Sequence, residues 1–141
     1  MDDFVITGGT LINEGSRLEQ DLYIKNGRIE NIGSNLPNTY PKSQVIDASG
    51  KLVLPGLIDD QVHFREPGST DVEDLESGSR AAVLGGVTSL FEMPNTNPPT
   101  SNQTEFNKKL SLAKNRMFSN YAFYFGATPQ NMEDLQKVDK L

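Results

Sequence analysis

An apolar stretch that passes directly into a row of alternating polar side chains constrains this chain more than any other feature. Leu52-Val53-Leu54 through Leu57-Ile58 leads into Asp59-Asp60-Gln61-Val62-His63-Phe64-Arg65-Glu66 and stops at the turn pair Pro67-Gly68. Successive side chains of a strand point to opposite faces. Asp59, Gln61, His63 and Arg65 therefore share one face, and Ile58, Val62 and Phe64 share the other, with Asp60 the single misfit. Burying four polar side chains together without partners is costly. The polar face must line a site, at the C-terminal end of a buried strand.

From Gly56 onward the pattern predicts alternating strands and helices. Thr70 with Glu73 forms a candidate capping box for a helix running to about Leu84, where Gly85-Gly86 ends it. Val87 to Met93 reads as a second strand, bounded by Pro94. Ser101 or Asn102 can cap a helix to about Met117, with Phe106, Leu110, Ala113 and Met117 recurring at helical spacing. Tyr121 to Phe125 is a third strand, and Thr128 or Asn131 starts a last helix. This alternation implies a parallel sheet with right-handed crossovers. The first fifty residues read differently, as short strands joined by tight turns: Phe4-Val5-Ile6, Thr10-Leu11-Ile12, Leu22 to Lys25, Arg28 to Ile32 and Val45-Ile46-Asp47. Among these turns Asn26-Gly27 is the strongest hairpin signal. A polar loop runs from Asn35 to Lys42.

The stretch Pro55-Gly56-Leu57-Ile58-Asp59 through His63-Phe64-Arg65-Glu66-Pro67-Gly68 resembles the first barrel strand of the dihydroorotases, members of the amidohydrolase superfamily of metal-dependent (β/α)8 barrels. Met93-Pro94-Asn95-Thr96 resembles that family's second signature. The resemblance implies an α/β fold: residues 1–51 as the N-terminal strands of a small composite β-sandwich, and residues 52–141 as the first part of the barrel, about three β/α units. It implies reversible cyclisation of N-carbamoyl-L-aspartate to L-dihydroorotate, a step of pyrimidine synthesis. It also assigns the residues. His63 is a metal ligand, and Gln61 stands where the family carries its other histidine. An amide oxygen is a poor zinc ligand beside an imidazole nitrogen, so Gln61 is a weak ligand, a substrate-binding group or a pocket-lining side chain. One or two zinc ions per full-length subunit are compatible with that departure. Arg65 and Asn95 would hold the substrate carboxylate, Arg65 through its planar fork. Asp59 matches the aspartate that opens the motif, and either orients a ligand or accepts hydrogen bonds within the barrel. The remaining ligands and the acid–base aspartate are expected beyond Leu141.

Each assignment has an ordinary rival. His63 could be a satisfied core histidine, Arg65 could form an ion pair closing the Arg65-Glu66-Pro67-Gly68 turn, and Asn95 could be a simple turn residue. Three whole-protein alternatives also stand: an allantoinase, a hydantoinase, or a non-catalytic homologue that serves as a structural partner of aspartate transcarbamoylase. Within the resemblance, allantoinases tend to carry Asn where Arg65 stands and hydantoinases lack the Arg-Glu-Pro-Gly run.

Size and charge bound these readings. A (β/α)8 barrel needs roughly 250 residues, more than the 141 here, so the expectation is the N-terminal third of a longer enzyme, inactive alone. Open sheet edges predict self-association. The net charge of −6 argues against a nucleic-acid or anionic-membrane surface. The sequence has no bilayer-length apolar run and no signal pattern at Met1. With no cysteine there is neither disulfide nor thiolate ligand, which together fits a cytoplasmic protein. His63 is the one histidine, so no histidine-rich metal site can be assembled from these residues.

Overall fold

Residues 3–138 are described by a computed structural model, in which the chain divides into two units, Met1–Pro55 and Gly56–Leu141. The first is built from β1 (Phe4–Thr7), β2 (Thr10–Asn13), β3 (Ser16–Leu18), β4 (Asp21–Lys25), β5 (Arg28–Gly33), α1 (Leu36–Thr39), β6 (Gln44–Asp47) and β7 (Leu52–Val53). They form two sheets, ordered β5-β4-β1-β6 and β3-β2-β7. Asn26 and Gly27 join β4 to β5 with φ of 50° and 73°, the doubly positive pair that a tight hairpin requires. Glu14-Gly15 does the same between β2 and β3, with φ of 48° and 74°. That second hairpin is not separated out by the sequence reading. The polar loop after Asn35 contains α1, whose buried Leu36 joins Val5 and Tyr23 in a small core. Asp21 is buried beneath it because both carboxylate oxygens are used: one accepts from Thr7 Oγ1 (2.6 Å) and the other from Leu36 N (3.0 Å).

The apolar segment from Leu52 is not one strand. Leu52–Val53 pairs with β2 in the first unit, and Pro55, which has no N–H to offer a ladder, separates it from β8 (Leu57–Val62). The division between units accordingly falls after Pro55, a few residues beyond the expected boundary at Lys51.

The second unit alternates β8, α2 (Leu75–Leu84), β9 (Val87–Glu92), α3 (Gln103–Ala113), β10 (Asn120–Phe123) and α4 (Met132–Lys137). Its strands are parallel in the order β10-β9-β8. Phe64, Leu75, Leu90, Ala113 and Phe123 form the core. Gly78 lets α2 press on Phe64, since a Cβ there would meet Phe64 Cε1 at 2.5 Å.

Two helix boundaries differ from the sequence reading, the start of α2 and the end of α3. The N-cap of α2 is Asp74: its carboxylate accepts from Ser77 N (2.7 Å) while Ser77 Oγ accepts from Asp74 N (3.1 Å). This reciprocal pair replaces the one expected at Thr70 and Glu73, and α2 then ends at Gly85-Gly86 as its pattern requires. Asn102 caps α3 by accepting from Glu105 N (2.9 Å). That helix stops at Ala113, because Lys114 leaves helical geometry and Asn115 takes a φ of 62°. Met117 reaches the core from beyond the helix. Asn131 precedes α4, but its side chain ties Ser101 O and Gly126 O together (both 2.7 Å) instead of capping the helix. Among the described residues no helix is long and apolar enough to cross a membrane.

Candidate functional site

Leu57 to Gln61 of β8 are all exposed, and side chains alternate between exposed and buried or half-buried only from Gln61 to Glu66, past the end of the strand. Gln61, His63 and Arg65 are exposed, whereas Phe64 (7%) and Glu66 (8%) point inward. Phe64 is held by the core and Glu66 by hydrogen bonds: its carboxylate accepts from Leu75 N (3.0 Å) and from Arg116 Nη1 (2.9 Å). These two anchors fix the segment, and Arg65 between them is exposed. Glu66 is thereby committed to Arg116, and the ion pair that would have closed the turn with Arg65 does not form. Arg65 makes no ion pair among the described residues.

The segment after β9 lies alongside. Met93 N donates to Val62 O (2.9 Å), Asn97 N to Pro67 O (3.1 Å) and Thr100 N to Pro94 O (2.9 Å). These bonds bring Asn95 to His63 across 32 positions of sequence, with His63 Nδ1 2.9 Å from Asn95 Oδ1. Asp59 is engaged locally: its Oδ1 accepts from Gln61 N (3.0 Å), where the β8–β9 register is interrupted between Asp59 and Val62.

The pairing of His63 with Asn95 bears on metal binding. With the ring proton on Nδ1, Asn95 accepts it and the lone pair lies on Nε2. That is the state in which a histidine binds a metal while its other nitrogen is held by an outer partner. The donor set here is partial. No group of three His, Cys, Asp or Glu able to hold a metal occurs among the described residues. His63 fits a single ligand position, with the Gln61 amide on the same exposed side.

Behind this surface lies a pair that the sequence reading missed. Lys109 of α3 and Glu92 at the end of β9 are 1% and 0% exposed, and Lys109 Nζ is 3.0 Å from Glu92 Oε2. Helical spacing had pointed to Leu110 as the core residue, yet Leu110 is 38% exposed and Lys109 is inside. Burial pushes the Glu92 carboxyl up to about 7, against the pull of the Lys109 charge, and burial also lowers the Lys109 ammonium. The available signal was the parity of Glu92 with Leu90, which puts both on the inward face of β9.

The sequence pattern of the family described as dihydro-orotase-like matches residues 50–135. The chain belongs to that family. It is 45% identical over 112 residues to a dihydroorotase of Aquifex aeolicus (strain VF5), covering 78% of this chain and 26% of the relative. To an allantoinase of Solibacter usitatus (strain Ellin6076) it is 37% identical over 136 residues, 96% of this chain and 29% of the relative. The solved L-hydantoinase (dihydropyrimidinase) from Arthrobacter aurescens superposes with a TM-score of 0.85 at 31% identity, over 97% of this chain and 30% of that one. This dihydro-orotase-like chain thus spans less than a third of the length of these relatives. Its fold is the one expected: the N-terminal part of an amidohydrolase (β/α)8 barrel, following a small β-sandwich segment.

Proposed function

We propose that the full-length protein is a zinc-dependent cyclic amidohydrolase, specifically a dihydroorotase interconverting N-carbamoyl-L-aspartate and L-dihydroorotate. The contact that carries this reading is His63 Nδ1 to Asn95 Oδ1 at 2.9 Å, beside an Arg65 that Glu66 leaves unpaired. In this reading His63 ligates one zinc through Nε2. Asn95 spends its oxygen on His63 and keeps its Nδ2 hydrogens for an anion. Arg65 offers two parallel N–H donors to the same carboxylate. When bound, zinc supplies Lewis-acid activation of the ring amide. Arg65 and Asn95 set the angle at which the ring presents its carbonyl, a positioning role. The other ligands and the acid–base group would come from outside this chain.

Allantoin hydrolysis is the second reading, favoured by relatives such as the allantoinase that matches 96% of this chain. Allantoin has no carboxylate, and Arg65 would then have no bidentate partner. A third reading, in which Gln61 marks a lost metal site, makes the protein a structural partner of aspartate transcarbamoylase. A homo-oligomer suits the enzyme readings.

Assaying the full-length protein with carbamoyl aspartate, allantoin and dihydrouracil, together with zinc analysis, separates these readings. Turnover of carbamoyl aspartate is expected. Arg65→Lys keeps the charge but loses the fork, and should lower kcat/KM by about ten- to a hundredfold, as for the loss of a charge-assisted pair. Turnover of allantoin alone would overturn the dihydroorotase reading, and a metal-free protein inactive on all three would favour the structural partner.

A further inference from the structure

Lys109 is 1% exposed, a position usually taken by an apolar side chain. A buried ion pair can often be replaced by well-packed hydrophobic residues of similar volume without loss of stability. What an apolar residue cannot reproduce is the set of donors on Nζ. Besides Glu92 Oε2 at 3.0 Å, Nζ lies 3.4 Å from Thr96 Oγ1 and 3.5 Å from Met93 O. Met93 and Thr96 immediately flank Pro94-Asn95. The same nitrogen sits 5.3 Å from the centre of the Phe123 ring, within cation–π reach. One ammonium, held by a carboxylate and an aromatic ring on the helix side of the sheet, therefore brackets Asn95 from both sides. Thr96 Oγ1 passes the restraint on by donating to Pro98 O (3.0 Å).

We propose that Lys109 is a positioning residue for Asn95, and that Glu92 is its counter-ion. Together they hold the segment after β9 so that Asn95 meets His63 and the substrate anion. This rests on the cyclic amidohydrolase reading for its consequence in catalysis, but not for its consequence at His63.

The test uses the full-length protein carrying Lys109→Met with Glu92→Leu, which removes both charges so that neither is stranded. Its Tm should stay within a few degrees of wild type, while kcat/KM falls by about tenfold or more, chiefly through KM, because a small displacement of a positioning group is costly. In an Asn95→Ala background the same pair of substitutions should cost little further, since coupled positions are not additive. Thr96→Val, which keeps the ion pair and removes one contact, should show a smaller loss with the same coupling to Asn95, and it decides the matter if the double variant does not fold. Unchanged kcat/KM in a folded double variant, or an undiminished loss in the Asn95→Ala background, overturns the proposal. A readout independent of turnover is the His63 ring, observed by nitrogen NMR in metal-free protein and assigned with His63→Gln. Loosening Asn95 should reduce the population of the Nδ1-protonated tautomer. If wild type turns over no cyclic amide, the amidohydrolase reading fails by itself, and the tautomer measurement still decides for or against Lys109.

Discussion

Gln61 is exposed and stands two residues before His63, so by strand parity a histidine placed there projects toward the same region without a change of backbone. In the full-length protein Gln61→His is expected to raise the zinc content per subunit while activity survives. A fall in kcat/KM with metal retained would instead assign Gln61 to the substrate. Glu92 makes a second residue-level prediction. Its carboxyl is pushed up to about 7 in the folded chain by burial, from an ordinary value of 4.5. The folded state therefore binds a proton between those values that the unfolded state does not. The resulting stabilisation is fully present below about 4.5 and lost as pH rises through about 7. The denaturant midpoint of wild type relative to Glu92→Gln should increase as pH is lowered from about 7.5 to about 5. A flat difference would return Glu92 to an ordinary titration.

At the scale of elements, α2 shows how two plausible helix starts are resolved. Thr70 with Glu73 satisfies the capping pattern, but Leu75 is fully buried and its N–H is taken by Glu66 Oε2. Those two constraints set the first turn, and Asp74 becomes the cap. The carboxyl of Asp74 is held below its ordinary value mainly by the hydrogen bond from Ser77 N. Asp74→Ala should destabilise the second unit, the usual consequence of a lost cap. Thr70→Ala should stay within about 0.5 kcal/mol. Denaturation midpoints of the two variants check both outcomes. A larger effect at Thr70 than at Asp74 would contradict the capping geometry. Arg116 strengthens the same junction, reaching Glu66 at 2.9 Å and Asp74 at 3.6 Å.

At the scale of the whole molecule, the second unit has three parallel strands and leaves Leu57 and Ile58 on β8 54% and 68% exposed. Exposed apolar residues on an open sheet favour association. Purified residues 1–141 should therefore self-associate, retain zinc weakly, and turn over neither carbamoyl aspartate nor dihydroorotate. Sedimentation, metal analysis and an activity assay test this together. A dilute monomer with measurable turnover would refute it.

The sequence by itself determined the outward row of Gln61, His63 and Arg65, because strand parity depends only on neighbouring residues. It determined the Asn26-Gly27 hairpin for the same reason, and the end of α2 at Gly85-Gly86. Only the tertiary structure decided that His63 and Asn95 meet, because their approach depends on backbone bonds between segments some thirty residues apart. It alone decided that Leu52–Val53 leaves the barrel unit, since pairing with β2 competes with continuation into β8 and Pro55 breaks the run. The exchange of Leu110 for Lys109 inside α3 was equally out of reach. Helical periodicity ranks side chains by apolarity, while the buried carboxylate of Glu92, from a different strand, is what makes a lysine acceptable at that position.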